Sequence, residues 1–525
     1  MLPPRIPPRI TLDTFVSCFT SRVFWFSLAI ALILAQPVSQ AETGKIQFHV
    51  RDEAGQFLPC RIHLHDPNGN AVRAFGQPFW NDHFACSGAV AADTPPGKCK
   101  WIVERGPEYR SASGSVSVVE DETSEVNIVL ERITSLRDEG WYSGDLHVHR
   151  PVEQIKSLML AEDLHFAPVI GWWNTPAPNA IAAEQTEFRF DRGRVYCKGA
   201  GEDEREGGAL LFFGLKKPLD LTVKSREYPS PMKFVQLARN QNRRVWIDIE
   251  KPFWWDLPTW LAVASPNSVG IAHNHMHRSG VLGNEAWGKT RDEDAFPGVK
   301  GNGLWTQQIY YHILNCGLQL PPSAGSASGV LPNPVGYNRT YVQLGKSELT
   351  RDRWFNALQA GRCFVTNGPL LRVTVNEKWP GATIKLNDNQ IVELEIKLTS
   401  NDPIESLEVI ENGSVRLRIP CTNETEQSHT VQLKLDQPGW LLVRAIANVD
   451  HTFRFASTAP WYLEESNGSR RISARSVRFM LRWLNERIGR VEKSVADEKQ
   501  RASVLHWHHE ARHFWTNQLE RANAD

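Results

Sequence analysis

Alternating hydrophobic and polar residues mark the chain from about residue 43 to residue 133. The segments KIQFHV (45–50) and PCRIHLHD (59–66) alternate residue by residue, and PNGN (67–70) is a turn sequence. EVNIVLERI (125–133) repeats the alternation. Because successive side chains of a strand point to opposite faces, this pattern predicts short strands with one buried face. We therefore expect an N-terminal β-sandwich over residues 43–133.

The pattern changes after Trp141, where short apolar runs alternate with helical segments. The apolar runs are FAPVIGWW (166–173), ALLFFGL (209–215), RRVWIDIE (243–250) and SVGIAHNH (268–275). Segments such as VEQIKSLMLAEDL (152–164) and MKFVQLARNQN (232–242) have helical spacing. This β/α alternation predicts a largely parallel sheet or barrel over residues 137–370, with its chemistry at the carboxyl ends of the strands.

Strand patterns return in the C-terminal part of the chain and are followed by helical spacing. IVELEIKLTS (391–400) and WLLVRAIAN (440–448) predict a second β-sandwich over residues 371–464. From residue 470 to residue 525 the pattern is that of a helical tail. Its apolar stripe consists of Val477, Leu481, Leu484, Ile488 and Val491. The predicted fold class is therefore multidomain, with α/β and all-β parts.

The first 41 residues are typical of a targeting segment. Arg5 and Arg22 precede the apolar run VFWFSLAIALILA (23–35), which is short for a membrane span. Small residues follow it, and they predict a signal peptide over residues 1–41 that is cleaved after Ala41. An uncleaved anchor is the alternative. In both cases we expect the body outside the cytoplasm, secreted or periplasmic, and after cleavage without a stable membrane span.

Charge and aromatic content narrow the classes of partner. Lysine plus arginine and aspartate plus glutamate number 59 each in 525 residues, and no basic stripe is present, so nucleic acid is not an expected partner. Nineteen tryptophans either pack in cores or line an apolar, sugar-stacking cleft for a small-molecule or glycan-like substrate. Trp173, Asn174 and Trp254 are the candidate substrate-binding residues.

The cysteines show no zinc-binding spacing, but three of them fall in the predicted N-terminal sandwich. These are Cys60, Cys86 and Cys99. In an oxidising compartment we expect one disulfide among them.

The segment SGDLHVHR (143–150) is the first candidate for metal chemistry. On a strand, alternation directs His147 and His149 to the same face, about 7 Å apart at their Cα atoms. Two imidazoles at that separation can bind one cation. Two ordinary histidines on an exposed strand face are the alternative.

Two further strands contain potential ligands. Asp248 and Glu250 share one face of RRVWIDIE, and His273 and His275 follow the apolar run SVGIA. If the carboxyl ends of these strands meet at one end of a barrel, the side chains form a site for a divalent metal such as Zn or Mn. Asp248 would then serve as general base. Solvated or hydrogen-bonded side chains are the alternative.

Two other motifs are less specific. GAGEDEREGG (199–208) predicts a solvated, glycine-flanked loop. If it reaches the same end of the domain, Glu202 is a second candidate general base. HEARH (509–513) matches the HExxH motif of zinc peptidases, but only 12 residues follow it. We interpret it as part of a histidine-rich helix.

Three segments together resemble a known enzyme family. GWYSGDLHVHR (140–150) is similar to the opening motif of PHP-type metallohydrolases, in particular of the CehA/McbA branch, where a small β-domain precedes it. Residues 320–342, with the RTY sequence, and residues 352–371, with TNGP, resemble the closing segment of that branch. The resemblance implies a PHP-like distorted (β/α) barrel and metal-dependent hydrolysis of an ester, amide, carbamate or phosphoester.

Some ligand positions of that family contain other residues here. They are Trp173, Lys251, Ala327 and Gly329. Other positions agree with the family. The resemblance implies that His147 and His149 correspond to its first two histidine ligands and that Glu202 corresponds to the Glu of its Gly-x-Glu motif. Asn174 matches the Asn of its second motif.

Two interpretations follow from these departures. In the first, the site is rebuilt with Glu250, His273 and His275 in place of the lost ligands, and one or two metal ions activate water. In the second, the barrel is a non-catalytic module whose aromatic cleft binds glycans or envelope components. We favour the first, because the imidazoles and carboxylates fall in segments expected at one end of the barrel.

Overall fold

The computed structural model describes residues 43–174, 186–220, 223–273, 276–278, 280–281, 288–387, 390–465 and 468–525. Thr43–Asp525 form one compact unit of mixed α/β structure. The predicted signal peptide and His275 lie outside the described residues. Among the helices of the described part, none combines the length and apolar character needed to cross a membrane.

Eight strands build the N-terminal region and form two sheets around one apolar core. They are β1 (Gly44–Arg51), β2 (Cys60–His65), β3 (Phe79–Trp80), β4 (His83–Cys86), β5 (Ala89–Thr94), β6 (Gly97–Glu104), β7 (Ala112–Val118) and β8 (Thr123–Val129). The sheet orders are β5-β1-β8 and β3-β4-β2-β6-β7. Ile46, Phe48 and Val50 of β1 are fully buried, while the residues between them are more exposed. The alternation in the sequence therefore predicted the strands of this region.

Two of the three cysteines in this region face each other across neighbouring strands. Cys60 of β2 pairs in register with Cys86 of β4, and their Sγ atoms are 3.7 Å apart, whereas Cys99 lies beside Thr94. In protein folded under oxidising conditions we expect a Cys60–Cys86 disulfide, because a side-chain rotation brings the sulfurs to the bonding distance of about 2.05 Å. Peptide mapping by mass spectrometry should find the linked peptide, lighter by two hydrogen atoms.

The disulfide should also stabilise the N-terminal sheets. We expect Cys60→Ser to lower the free energy of unfolding of the oxidised protein by about 2–4 kcal/mol. Cys99→Ser is the control and should leave the Cys60–Cys86 peptide intact. A link from Cys60 to Cys99, or no link in oxidised protein, would contradict this expectation.

The central region alternates strands and helices. Its strands are β9 (Trp141–Gly144), β10 (Phe166–Trp173), β11 (Glu187–Phe190), β12 (Arg194–Arg205), β13 (Gly208–Phe213), β14 (Trp246–Ile249), β15 (Ser268–Ala272), β16 (Met276–His277), β17 (Gly280–Val281), β18 (Pro322–Ala324), β19 (Arg339–Gln343) and β20 (Cys363–Thr366). Its helices are α1 (Ile155–Ala161), α2 (Pro231–Gln241), α3 (Leu257–Val263), α4 (Gly301–Asn315) and α5 (Arg351–Gln359).

The pairing of the central strands ends beside the segment that follows the first strand, β9. The order is β9-β10-β12-β13-β14-β15-β18. Beyond β9, Val148 forms bridges with Val169 of β10 and with Ser328, which follows β18. The segment that contains His147 and His149 is therefore held between β10 and the end of β18.

The β/α alternation predicted a largely parallel sheet, and along the order from β9 to β18 four of the six strand pairs, β9–β10 among them, are parallel and two are antiparallel. The pairs β10–β12, β14–β15 and β15–β18 are parallel, but β12–β13 and β13–β14 are antiparallel. A turn at Glu206 and Gly207 joins β12 directly to β13, and a hairpin of this kind requires antiparallel strands. Residues 199–208 thus belong to this hairpin, and the prediction of a solvated loop was wrong.

Helix α4 was not predicted because it has no distinct polar face. Most of its residues, including Trp305, Ile309 and Tyr310, are buried. A helix that is buried on nearly all sides lacks the apolar stripe on which helix prediction depends.

The C-terminal strands share one apolar core but belong to two sheets. They are β21 (Leu370–Val375), β22 (Thr383–Lys385), β23 (Gln390–Thr399), β24 (Ile404–Glu411), β25 (Ser414–Ile419), β26 (Glu426–Leu435), β27 (Gly439–Ala447), β28 (Phe455–Thr458) and β29 (Trp461–Glu464). Strands β21, β23 and β26 form their own sheet. Because β28 pairs with β20, the other strands continue the central sheet.

The chain ends in two helices, α6 (Ala474–Ser494) and α7 (Glu498–Glu520), as the apolar spacing predicted. Val477, Leu484, Ile488 and Val491 are buried, and Leu481 is partly buried. The two helices pack against α3 of the central region.

A buried cluster of charged residues fixes the helical tail to the central region. The Arg487 guanidinium of α6 donates to Oδ1 of Asp256 at 2.6 Å and to the two carboxylate oxygens of Glu227 at 2.8 and 2.5 Å. His508 of α7 contacts the same Asp256 oxygen at 3.1 Å.

Candidate metal centre

The residues predicted for metal chemistry meet at one end of the central sheet. His147 and His149 follow β9, Glu202 lies in β12, Glu250 follows β14 and His273 follows β15. Because Val148 is bridged on both sides, its two neighbours point to the same side, and the rings of His147 and His149 have centroids 4.9 Å apart. This confirms the common face expected from the sequence.

Asp145 holds the loops around this end of the sheet. It is fully buried, and its Oδ1 accepts hydrogen bonds from the backbone N–H groups of His147 and Ser326, both at 3.0 Å. Its Oδ2 accepts from the backbone N–H of Gly336 at 2.7 Å. Asp145 therefore joins the histidine segment to the loop after β18.

Three donor atoms form a triangle that we call the ligand triangle: Nε2 of His147, Nε2 of His149 and Oε2 of Glu202. The two nitrogens are 2.9 Å apart, and they lie 3.3 and 3.1 Å from the Glu202 oxygen. Ligands bound to one tetrahedral ion at 2.0–2.1 Å lie about 3.3 Å apart. The donor set and its spacing thus fit a single divalent ion.

The ring of His147 is held between two carboxylates. Its Nδ1 lies 2.5 Å from Oε1 of Glu250, although the ring N–H does not point along this contact, and its Nε2 lies 3.3 Å from Glu202. Burial alone would lower the pKa of His147, but Glu250 and Glu202 outweigh it and raise this pKa to about 10. The pocket therefore stabilises positive charge at the His147 ring, as a cation site requires.

A second group of possible ligands shares His147 with the first. Nδ1 of His147, Oε1 of Glu250 and Nδ1 of His273 are close enough to hold an ion, and all three atoms are buried without a hydrogen bond. However, the 2.5 Å between the His147 and Glu250 atoms is shorter than the ~3.3 Å between two ligands of one ion. The ligand triangle is the better fit.

Asp248 lies behind His273 and is fully buried. Its Oδ1 accepts hydrogen bonds from the hydroxyls of Ser323, at 2.6 Å, and of Ser268, and its Oδ2 lies 3.5 Å from Nε2 of His273. This carboxylate is placed to orient His273.

A cleft of about 320 Å³ opens at the ligand triangle. Its lining includes His147, His149, Trp173, Asn174, Glu202, Glu204, Lys251, Phe253, Trp254, Val330 and Leu331. The ring of Trp173 lies 5.3 Å from that of His149, and its indole N–H donates to Glu204 at 2.9 Å. Asn174 turns the chain with a φ of +58°. Its side-chain Oδ1 accepts a hydrogen bond from the backbone N–H of Glu204 at 2.6 Å. All three predicted substrate-binding residues thus line this cleft.

Lys251 and Glu204 were not predicted as site residues. Strand alternation explains Glu204, because Glu202 and Glu204 point into the cleft while Asp203 and Arg205 form an ion pair at 2.6 Å on the other face. The alternation of Glu202 and Glu204 with Asp203 and Arg205 was present in the sequence. It was not interpreted as a strand because the segment is acidic and flanked by glycines. For Lys251, the sequence showed that it follows Glu250 and, by the family resemblance, that it stands at a ligand position.

A third group of possible ligands consists of His63, Asp82 and His83. Its spacing suits a metal ion, but a hydrogen bond from Arg61 places the His63 proton on the nitrogen that would have to bind the ion. Arg61 donates from Nε to Nε2 of His63 at 3.0 Å. That nitrogen must therefore accept, and in a neutral imidazole the proton then lies on Nδ1, the atom that faces Asp82 at 3.1 Å. The Asp82 carboxylate accepts a hydrogen bond from Nδ1 of His83 at 3.1 Å, while Nδ1 of His63 lies near it without a hydrogen bond.

The HEARH motif is part of a histidine-rich helix, as interpreted from the sequence. His509 and His513 of α7 are exposed, and neither belongs to a group of three potential ligands in the described part of the chain.

Comparison with protein-family models found no match, and comparison with curated proteins found none either. Among solved structures, a minor pilin of the Gram-positive pathogen Streptococcus agalactiae matches with 17% sequence identity and a TM-score of 0.15. The match covers 18% of this chain and 46% of the pilin chain, so less than half of the pilin is spanned. A likeness at this TM-score supports no argument about fold or function.

Proposed function

We propose that the protein is a divalent-metal-dependent hydrolase of the PHP type, similar to the CehA/McbA branch, and that it acts outside the cytoplasm. The ligand triangle on the wall of the cleft is the observation that supports this most directly. Catalytic zinc sites typically have three protein ligands and leave a fourth coordination position open to water or substrate. Structural zinc sites have four protein ligands and no open position. Two imidazoles and a carboxylate suit Zn, and Mn is the alternative.

The order of strand pairing supports a PHP-like distorted (β/α) barrel for the central region. Seven strands pair one after another, and Val148, in the segment that follows the first of them, bridges to the second strand and to Ser328 after the last. The histidine segment follows that first strand, as the opening motif does in the family.

When bound, a divalent ion supplies Lewis acidity and lowers the pKa of water to about 7. The residues of the chain have separate tasks around it. Glu250 holds the His147 ring, and Lys251 holds the other oxygen of Glu250 at 2.5 Å. Trp173, Phe253 and Trp254 line the cleft and offer apolar contacts to a substrate.

Glu204 is placed better than the two predicted general bases to accept a proton. Asp248 does not line the cleft, and Glu202 belongs to the ligand triangle. Glu204 lines the cleft without being a ligand, and burial, only partly offset by Lys251, raises its pKa above the ordinary value. We propose that Glu204 takes the proton from the attacking water.

The substrate class follows from the family resemblance and from the size of the cleft. We propose an ester, amide, carbamate or phosphoester. A volume of about 320 Å³ suits a small molecule.

Elemental analysis of the purified protein tests this function. We expect one divalent ion per chain at the ligand triangle, together with hydrolysis of at least one of the four substrate classes. His147→Ala/His149→Ala should weaken metal binding by more than the ~100-fold typical for loss of one supporting residue, and it should abolish hydrolysis.

His509→Ala/His513→Ala is the matched control, because it removes two exposed histidines and should change neither readout. A wild-type protein that holds no stoichiometric metal when metal is supplied would refute the enzyme. The aromatic cleft would then be better explained as a binding surface for glycans or envelope components.

A further inference from the structure

The ammonium group of Lys251 lies at the centre of three carboxylates. Nζ is 2.5 Å from Oε2 of Glu250, 2.8 Å from Oε1 of Glu204 and 3.5 Å from Oε1 of Glu202. The residue is 3% exposed, so water contributes little to its solvation. A lysine this deeply buried needs such partners, because an unpaired buried charge is strongly unfavourable.

Glu202 connects this cluster to the ligand triangle. Its Oε2 faces the two histidines, and its Oε1, which makes no hydrogen bond, faces the ammonium. The two cation positions therefore share one carboxylate, as neighbouring ions of a metal cluster do. One of these positions is already filled by a side chain.

The charges of the cluster agree with one ion beside one ammonium. With neutral imidazoles, Glu202, Glu204, Glu250 and Lys251 together leave a net charge of minus two. One divalent ion at the ligand triangle neutralises it. A second divalent ion next to Lys251 would bring two more positive charges into a buried, low-dielectric site.

We infer that Lys251 is a built-in cation that takes the place of a second metal ion between Glu202, Glu204 and Glu250. This inference rests on the proposed metal-dependent function and adds that the ion at the ligand triangle has an ammonium, not a metal, as its neighbour. Removing the ammonium should open a new metal site. Because that site offers carboxylate oxygens, it should prefer a hard ion such as Mn²⁺, whereas the ligand triangle suits Zn.

The Lys251→Ala variant tests the inference. The zinc-loaded variant is titrated with Mn²⁺, and binding is followed by electron paramagnetic resonance. We expect the variant to gain one Mn²⁺ per chain that the wild type does not bind. Lys251→Arg retains the positive charge and should gain none. Lys251→Ala/Glu204→Gln should bind the added Mn²⁺ at least tenfold more weakly than Lys251→Ala.

A folded Lys251→Ala protein that gains no Mn²⁺, or a wild type that binds the extra Mn²⁺ with Lys251 in place, would overturn the inference. If Lys251→Ala folds poorly, Mn²⁺ should raise its melting temperature and leave that of the wild type unchanged. The absence of that rise would also overturn it.

The outcome is separable from that of the proposed function. The new site does not use His147 or His149, so the triple variant with both histidines and Lys251 changed to alanine should still gain Mn²⁺. A wild type that binds no stoichiometric divalent metal at the ligand triangle would refute the hydrolase, whereas Mn²⁺ missing from the Lys251→Ala variants would refute only the built-in cation.

Discussion

Replacing Arg487 by methionine should lower the free energy of unfolding by about 3–5 kcal/mol. Arg487 is 1% exposed and donates to the carboxylates of Asp256 and Glu227 at 2.5–2.8 Å. Methionine keeps much of the volume but leaves both carboxylates buried without their cation. Denaturant unfolding measures the loss of stability. Amide hydrogen exchange should speed up most in helices α6 and α7, which this contact holds to the central region.

Arg478→Met is the matched control, because Arg478 is exposed on the same helix. Its effect should stay within about 0.5 kcal/mol. Arg487→Met/Glu227→Gln/Asp256→Asn should recover most of the lost stability, since the cause is unpaired charge and not lost volume. A loss below ~1 kcal/mol for Arg487→Met alone would show that the helical tail is held by its apolar contacts.

Replacing Gly325 by alanine should weaken zinc binding by about 10–100-fold, although Gly325 is not a ligand. A Cβ at this position would lie 2.4 Å from Cβ of His147 and 2.9 Å from Nδ1 of His273. A Cβ cannot move without its backbone, so the backbone at residue 325 or at His147 must shift, and we expect that shift to displace His147 from the ligand triangle. The same overlap should destabilise the protein by about 1–3 kcal/mol. Competition with a chelator measures the affinity.

Gly171→Ala is the control for this substitution. Gly171 lies in β10 of the same sheet, and the nearest atom to its added Cβ is 3.7 Å away. Its zinc affinity should equal that of the wild type. An unchanged affinity in Gly325→Ala would mean that the position of His147 does not determine metal binding.

The strands of the N-terminal region and the terminal helices could be predicted because each has one buried face. Ile46, Phe48 and Val50 alternate with more exposed residues, and Val477, Leu484 and Ile488 recur at helical spacing. A local period is enough to identify such elements. Helix α4 is buried on nearly all sides and has no such period, and the antiparallel pairing of β13 with β14, which are more than thirty residues apart, depends on which strands meet in space.

Some features of the candidate site could also be predicted from the sequence, and others could not. His147 and His149 could be placed on one face from their spacing alone, as could Asp248 and Glu250. The importance of Lys251 could not be predicted, since its partners Glu202 and Glu204 come from a strand more than forty residues earlier. Asp248 was expected to act at the cleft, but the hydroxyls of Ser268 and Ser323 hold it behind His273.

The sequence by itself determined which residues can carry charge or bind a cation, where strands and helices with one buried face form, and that His147 and His149 share a face. These properties depend on the chemistry of single side chains and on periods of two or three to four residues, which are local. Only the tertiary structure decided that Glu202 completes a triangle with the two histidines, and that Lys251 stands between three carboxylates. Those contacts join strands far apart in the chain, and the pairing order of the whole sheet brings them together.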